Sequence, residues 1–327
     1  MDSNEIPGIH HITALASDPQ RNLDFYVGFM GLRLVKKTVN FDSPDVYHFY
    51  YGDEGGRPGT ILTFFPFPDA MKGTRGIGQA TAVAFSISPL SLDYWLDRLA
   101  RQSIHFDGPA RMFGEEFISF EDPDGMLIEL VAGSPGTMPR VWEHSSVAPE
   151  HAVRGFYGVT LSEDDNERPA AFLSEVLGFQ YASTSGDRRR FVAGSGMDEA
   201  KVDIVLSRDG KPGRMSAGSV HHIAWRTSDK QTQAAWRQRI ANAGLDVTEI
   251  VDRQYFTSIY FHEPGGILFE IATDPPGFTV DESLSNLGTS LRLPPWLEPE
   301  RTRLEQLLPP VVAPTPSARV RNAREAR

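Results

Sequence analysis

The feature that most constrains this chain is that it repeats itself. Ile9-His10-His11-Ile12 returns as Val220-His221-His222-Ile223, and both copies reach a Ser-Asp pair at the same distance (Ser17-Asp18 and Ser228-Asp229). The stretch from Phe120 to Glu129 returns from Phe261 to Glu270, each copy with a Pro-Asp-Gly or Pro-Gly-Gly turn inside it. Phe25 to Gly31-Leu32 is echoed by Phe172 to Gly178-Phe179. Self-similarity of this kind marks a chain built from copies of one small unit, none of which can bury its apolar face alone. Four units follow from the echoes, over residues 7–66, 78–133, 152–208 and 218–274.

Each unit reads as a strand, a helix and three strands. In the first, an apolar strand over residues 8–16 precedes Asp18-Pro19, a helix-opening pair. Leu23, Tyr26, Val27 and Met30 then recur at helical spacing, and Gly31 stops the helix. Strands over Leu32–Asn40, Tyr47–Tyr51 and Thr60–Phe65 follow. The second unit predicts a strand over 80–87, a helix from Ser91 through Leu99, and late strands Glu116–Phe120 and Leu127–Val131 joined by an Asp122-Pro-Asp-Gly turn. The pattern is an α+β chain of four βαβββ modules. Residues 281–327 lie outside them. Leu293 to Leu297 and Arg301–Leu308 read as a docking segment and a short helix, and the Pro- and Arg-rich end reads as a disordered tail.

The repeats also supply a register. An offset of 147 places His11 on Gly158, and an offset of 141 places His222 on Thr81 and Glu270 on Glu129. Matching Pro58-Gly59-Thr60 to Pro264-Gly265-Gly266 sets Phe64 opposite Glu270. Only units one and four keep a first-strand histidine, and only unit four adds a final-strand glutamate. His11, His222 and Glu270 are therefore the candidate metal ligands, which requires units one and four to pair into one cup. Two imidazoles and a carboxylate form the facial triad of non-haem Fe(II) oxygenases. Neighbouring strand residues point to opposite faces, so one histidine of each pair can aim at a metal, and the spacing alone leaves open which. Composition narrows the ligand chemistry. The chain has no cysteine, so a metal must be held by nitrogen and oxygen, and disulfides and thiolate nucleophiles are excluded. A net charge of −11 argues against a nucleic-acid surface. No signal peptide or membrane span is legible, so a soluble cytoplasmic protein is expected. Gly76-Ile77-Gly78 and Gly194-Ser195-Gly196 lack any phosphate-loop context, so no nucleotide cofactor is expected.

The residues that carry these patterns resemble a known family. His10-His11-Ile12-Thr13, Tyr47-His48-Phe49-Tyr50, Pro58-Gly59-Thr60, Glu150-His151 with Arg154-Gly155-Phe156, His221-His222, and Arg253 through Tyr260 to Pro264-Gly265-Gly266 and Glu270 are similar to the vicinal oxygen chelate superfamily of glyoxalases, bleomycin-resistance proteins and extradiol dioxygenases. Within it the likeness is nearest to the para-hydroquinone ring-cleaving dioxygenases, and it runs over roughly residues 7–310. The resemblance implies two cup-shaped half-barrels, with one cup active. It implies that His11 and His222 bind Fe(II), or Mn(II), together with Glu270. It implies supporting or substrate-facing roles for His10, Thr13, His221, Arg253 and Tyr260. The partners it implies are a small aromatic substrate and dioxygen, in the catabolism or detoxification of hydroquinones; a homo-oligomer is left open. Catechol-cleaving relatives place their first histidine in the third unit, where this chain has Gly158, and that departure favours the hydroquinone branch.

Taken without the resemblance, the same side chains have plainer readings. Arg253 follows Asp252 and could serve a surface ion pair, Tyr260 could be a structural tyrosine, and Thr13 suits any strand. His48 reads as packing, and His262 shares the alternating face of Phe256, Ser258 and Tyr260. An aromatic cluster of Phe41, Tyr47, Phe49, Tyr51, Phe64, Phe65 and Phe67 lies near the proposed cup. Two other functions compete: a glyoxalase-type metal-dependent isomerase or thiol transferase, and a non-catalytic aromatic-binding protein of the same fold. The first wants a further protein ligand on the metal, and Phe64 opposite Glu270 would not supply it.

Overall fold

The computed structural model describes residues 5–133, 140–196 and 199–314. Each unit builds four strands. The first contributes β1 (Ile9–Ala16), β2 (Arg33–Asn40), β3 (Ser43–Gly52) and β4 (Ile61–Pro66). The second contributes β5 (Gln79–Ile87), β6 (Phe106–Met112), β7 (Glu115–Glu121) and β8 (Leu127–Ala132). β9 (Phe156–Glu163), β10 (Gln180–Ser185), β11 (Arg188–Ala193) and β12 (Ala200–Leu206) form the third. β13 (Val220–Thr227), β14 (Val251–Asp252), β15 (Thr257–His262) and β16 (Leu268–Thr273) form the fourth. A helix follows each first strand, so each first strand runs parallel to its unit's last strand while the other pairs within a unit are antiparallel. The tail of residues 315–327, expected to be disordered, lies outside the described residues.

Two eight-stranded sheets result, and their membership is not the chain order. One runs β14-β15-β16-β13-β1-β4-β3-β2 and joins units four and one; the other runs β10-β11-β12-β9-β5-β8-β7-β6 and joins units three and two. In each, two first strands meet antiparallel at the centre. The sheets are open and curl into half-barrels, one concave face per pair of units. No helix among the described residues is long and apolar enough to cross a membrane.

The first-unit helix departs from the simple α-helix that its spacing predicts. α1 (Pro19–Leu23), capped by Asp18 accepting from the Arg21 N–H, passes into a wider turn over Asp24–Phe29. There Met30 N–H donates to the Phe25 carbonyl, five residues back, at 2.8 Å. In unit three, α3 (Glu167–Ala171) passes into the same kind of turn, with Leu177 N–H donating to Phe172. The echo of Phe25 and Phe172 thus marks a repeated π-type turn. Gly31, at φ 73°, then ends the unit-one helix in a conformation that costs glycine no Cβ clash. α2 (Leu92–Arg101) and α4 (Lys230–Asn242) are regular.

The ladder corrects two alignments. Ile12 pairs with Ile223 in the first cup and Val159 with Val83 in the second, which keeps Gly158 as the counterpart of His11 but makes Ala82, not Thr81, the counterpart of His222. Thr13 lies beside Thr63 as Ala224 lies beside Glu270, so Thr63, not Phe64, occupies the position matching Glu270. Both slips have one cause: side chains alternate along a strand, and a one-residue error in a loop match exchanges the faces.

Candidate metal centre

β1 and β13 lie side by side at the seam of the first cup. A regular strand would send His10 and His11 to opposite faces. Each strand instead carries a bulge in this ladder, with His10 the extra residue in β1 and His221 the extra residue in β13. Bulges re-aim side chains, and here the rings of each pair meet. The two Nδ1 atoms are 2.9 Å apart in His10 and His11, and 2.7 Å apart in His221 and His222. The Nε2 atoms of His11 and His222 are thereby left facing each other at 3.3 Å.

Glu270 completes the cluster from β16. Its Oε2 lies 3.0 Å from His222 Nε2 and 3.4 Å from His11 Nε2, and all three residues are buried. The three ligand atoms lie within 4.8 Å of one another. The Ser258 hydroxyl donates to Glu270 Oε1, whereas Oε2 is buried without a hydrogen-bond donor. The imidazoles come near it without hydrogen-bond alignment. A buried acceptor left bare costs about 1–3 kcal/mol. A bare carboxylate oxygen and two imidazole nitrogens converging on one point fit a divalent cation, whose ligands must be unprotonated. Burial by itself favours the neutral acid at Glu270, yet the adjacent His11 and His222 hold its carboxyl well below the usual range. Burial pushes His222 and, more strongly, His10 down, and takes His221 to about 3 with help from His222.

A cavity of about 590 Å³ opens over this point. Thr13, His221, Arg253 and Tyr260 line it with the three cluster residues; His10 does not. His10 stands behind His11, packed edge-on against Phe256 at 5.1 Å and partnered by the Thr273 backbone. Arg253 Nε donates to the Tyr260 hydroxyl at 3.0 Å, and its Nη1 pairs with Asp42 at 3.0 Å. Burial, then Glu270, pushes the Tyr260 hydroxyl up, so it stays protonated. The Thr13 and Thr63 hydroxyls are 2.8 Å apart, and Thr63 also meets His48 Nε2 at 2.9 Å.

Three side chains here, Ser258, Phe256 and Thr63, had no role read from their sequence context, and His48, read as packing, makes a hydrogen bond at the cavity wall. Ser258 holds Glu270, Phe256 packs on both His10 and His11, and Thr63 with His48 anchors Thr13. Ser258 and Phe256 share the alternating face of Tyr260, a signal that could have found them. His262 is exposed and outside the cavity. The aromatic cluster divides by strand face: Phe41, Phe65 and Phe67 line the cavity, while Tyr47, Phe49, Tyr51 and Phe64 are core.

The second cup keeps the bulges at Thr81 and Tyr157 but has Gly158 and Ala82 at the histidine positions. A Cβ on Gly158 would sit 2.2 Å from the Lys201 carbonyl oxygen, so no side chain fits there. Glu129 remains, and Asp203 pairs with Thr160 at the position matching Thr63. Arg190 forks onto Asp203 at 2.8 and 2.9 Å, and Arg188 reaches the same carboxylate at 3.1 Å. Guanidinium groups thus supply the positive charge that this cup's carboxylates face.

A family model described as Glyoxalase/Bleomycin resistance protein/Dioxygenase superfamily matches residues 8–130 and 156–279. MhqO of Bacillus subtilis (strain 168), provisionally named a ring-cleaving dioxygenase, is 44% identical over 93% of this chain and 96% of its own. The chlorohydroquinone/hydroquinone 1,2-dioxygenase of Sphingobium indicum is 35% identical over 90% of this chain and 93% of its own. A crystal structure of a Bacillus subtilis protein, provisionally named a dioxygenase, matches with a TM-score of 0.90 and 42% identity over 95% of this chain and 99% of that one. Glyoxalase I from Zea mays, at 14% identity and a TM-score of 0.61 over 82% of this chain and 92% of its own, shares the fold. From its cups, its repeats and these relatives, the chain belongs to the glyoxalase/bleomycin resistance protein/dioxygenase superfamily.

Proposed function

We propose that this protein is an Fe(II)-dependent ring-cleaving dioxygenase of hydroquinone or a related dihydroxy-aromatic compound. The observation that carries the reading is the convergence of His11 Nε2, His222 Nε2 and the bare Glu270 Oε2 at the floor of an aromatic-lined cavity. These three residues would hold the metal, with Mn(II) as the alternative occupant. The names of two relatives, one at 44% and one at 35% identity, support the reaction class. Both oxygen atoms of dioxygen enter the product as one ring carbon–carbon bond breaks, so no external reductant is needed. When bound, the metal supplies Lewis acidity toward a ring hydroxyl and an electronic path to dioxygen.

The chain's own groups do the rest. A lone pair on each ligating Nε2 requires the proton on Nδ1, where His10 and His221 accept it and so fix both tautomer and ring orientation. Ser258 holds the Glu270 plane. Arg253 places a cation beside Tyr260, which polarises that hydroxyl toward donating to an anionic oxygen in the cavity. Thr13, steadied by Thr63 and His48, offers a second hydroxyl on the His11 face. Phe256 packs against the rings of His10 and His11 and so restrains both.

The isomerase reading needs one more protein ligand. Thr63 stands where that ligand would come from, and its hydroxyl is engaged by Thr13 and His48. The test is oxygen uptake by Fe(II)-loaded protein offered hydroquinones and catechols. Uptake equal to ring-opened product is expected. Thiol-adduct isomerisation without uptake, or binding without turnover, would replace this reading with one of the other two. Glu270→Gln should lose metal binding and turnover together, checked by metal analysis of anaerobically loaded protein; a fully active variant would remove Glu270 from the centre.

A further inference from the structure

Two of the sequence motifs lie outside the cavity lining: Pro58-Gly59-Thr60, just before β4, and Arg154-Gly155-Phe156, at the start of β9. The fold brings them together across the two cups. Phe156 N–H of unit three donates to the Gly59 carbonyl of unit one at 2.8 Å. Gly59 N–H in turn donates to the His10 carbonyl at 2.9 Å. His10 is the extra residue of the β1 bulge, so this relay ends on the backbone that aims His11 at Glu270.

Unit two fixes the donor end. Ser86 N–H donates to the Gly155 carbonyl and Arg154 N–H to the Ser86 carbonyl, both at 2.9 Å, and the Phe156 ring stacks on Phe85 at 5.1 Å. The approach to unit one depends on glycine. Gly155 has φ 116°, and a Cβ there would lie 2.7 Å from the Gly59 carbonyl oxygen. On the unit-one side, the Asp53 carboxylate ties the loop before Gly59 by accepting from the Gly55 and Arg57 N–H groups at 3.2 and 3.0 Å. The other histidine pair is held differently. Leu62 lies beside Ile12 as Phe269 lies beside Ile223, which makes Gly266 the counterpart of Gly59. Gly266 N–H is directed back into its own turn, donating to the Glu263 carbonyl at 2.8 Å. The link to the bulge is therefore not a bond that the repeat itself dictates.

We infer that the second cup, which has Gly158 and Ala82 at the histidine positions, sets the geometry of the metal centre in the first. Gly59 and Gly155 are positioning residues that act through the His10 carbonyl on His11. A shift of the His10 peptide turns the His11 ring, because the bulge is what aims it. The inference rests on His11, His222 and Glu270 as metal ligands and is independent of which substrate the enzyme cleaves.

The experiment loads the full chain with Fe(II) under nitrogen and reads affinity by chelator competition. The visible absorption of the Co(II)-loaded protein reports ligand geometry alongside. Gly155→Ala displaces the Gly59 carbonyl, so affinity should fall about tenfold and the Co(II) bands should shift. Gly59→Ala should do the same; its Cβ would meet nothing nearer than the Ile9 carbonyl oxygen at 3.6 Å, but φ 86° strains any side chain there. Gly186→Ala, at φ 62° in the β10–β11 turn with nothing within 4 Å of the added Cβ, carries comparable backbone strain away from the relay. It should leave both readouts at wild type. Wild-type affinity and spectrum in both relay variants overturn the inference, as does an equal change in Gly186→Ala. Should neither relay variant fold, amide exchange in the wild type decides. By linkage, a relay that favours the metal is itself protected by the metal, so the Gly59 and Phe156 amides should slow about tenfold beyond any change at the β10–β11 turn. Exchange at those amides that is unaltered by metal overturns the inference. A wild type that binds no Fe(II) removes the metal reading, and this inference with it.

Discussion

A buried carboxylate oxygen with no donor is a cost that a fold tolerates when something else meets it. Glu270 has one oxygen held by Ser258 and the other bare between two imidazoles. That division of labour makes Ser258 a sensitive probe. Ser258→Ala removes one hydrogen bond and almost no volume, so the fold should survive while the carboxylate loses its fixed orientation. Metal affinity should fall about 10–100-fold, read by competition with a chelator, with the circular dichroism spectrum unchanged; unaltered affinity would assign Ser258 to packing alone. The three ligand candidates were legible in the sequence because repeats align residues that fold to equivalent places. Ser258, Phe256 and Thr63 were not, because a serine, a phenylalanine and a threonine in alternating strands look the same whether they face a site or a core.

Elements were legible by kind and less so in detail. The strands placed in units one and two fall where expected, yet β3 spans Ser43–Gly52, well beyond the expected Tyr47–Tyr51, because its early residues pair with the end of β2. The C-terminal segment shows the limits of hydropathy more clearly. Lys36 sits mid-strand in β2, where a lysine reads as solvent-facing, but its side chain is fully buried. Its Nζ donates to Asp281 at 2.6 Å and to Glu282, and it lies 5.0 Å over the Tyr255 ring. Arg292 N–H then donates to the Lys37 carbonyl at 2.9 Å, and α5 (Arg301–Leu307) buries Leu304 against the same unit. The extension is thus clamped to β2 by one buried cation. Lys36→Met leaves the fully buried Glu282 with Arg292 as its remaining cationic partner. A loss of about 3–5 kcal/mol is expected, measured by urea unfolding; a loss under about 1 kcal/mol, the scale of an exposed pair, would mean that the clamp does not hold the extension.

At the scale of the molecule, the two cups meet through turns that the repeats had already marked. In the Asp122 turn the carboxylate accepts from two backbone N–H groups and from the Tyr26 hydroxyl of unit one. The matching Glu263 turn meets Glu163, whose side chain is wholly buried with both oxygens bare. Burial, then the charge of Glu263, pushes the Glu163 carboxyl up to about 8. The sign follows directly. Below about pH 4.5 this group is neutral in both states and contributes nothing. As pH rises toward 8 the unfolded chain releases the proton that the folded protein keeps, so stability falls, and above 8 the penalty is complete. Glu163→Gln should therefore stabilise the protein by about 1–3 kcal/mol at pH 9 and hardly at all at pH 4, read by urea unfolding at both; an equal effect at the two values would rule out ionisation as its source. The sequence by itself determined the number of units, their βαβββ order, and the echo of the two histidine pairs, since these are properties of a repeat and of local periodicity. That units one and four share a cup was implied by placing two ligands in one and the third in the other, and the sheet order bears it out. Only the tertiary structure decided that each histidine pair sits on a bulge, that Thr63 faces where Phe64 was expected, and that guanidinium groups face the carboxylates of the second cup. Each of these depends on register between strands far apart in the chain. A one-residue shift there reverses every face, and local pattern carries no information about it.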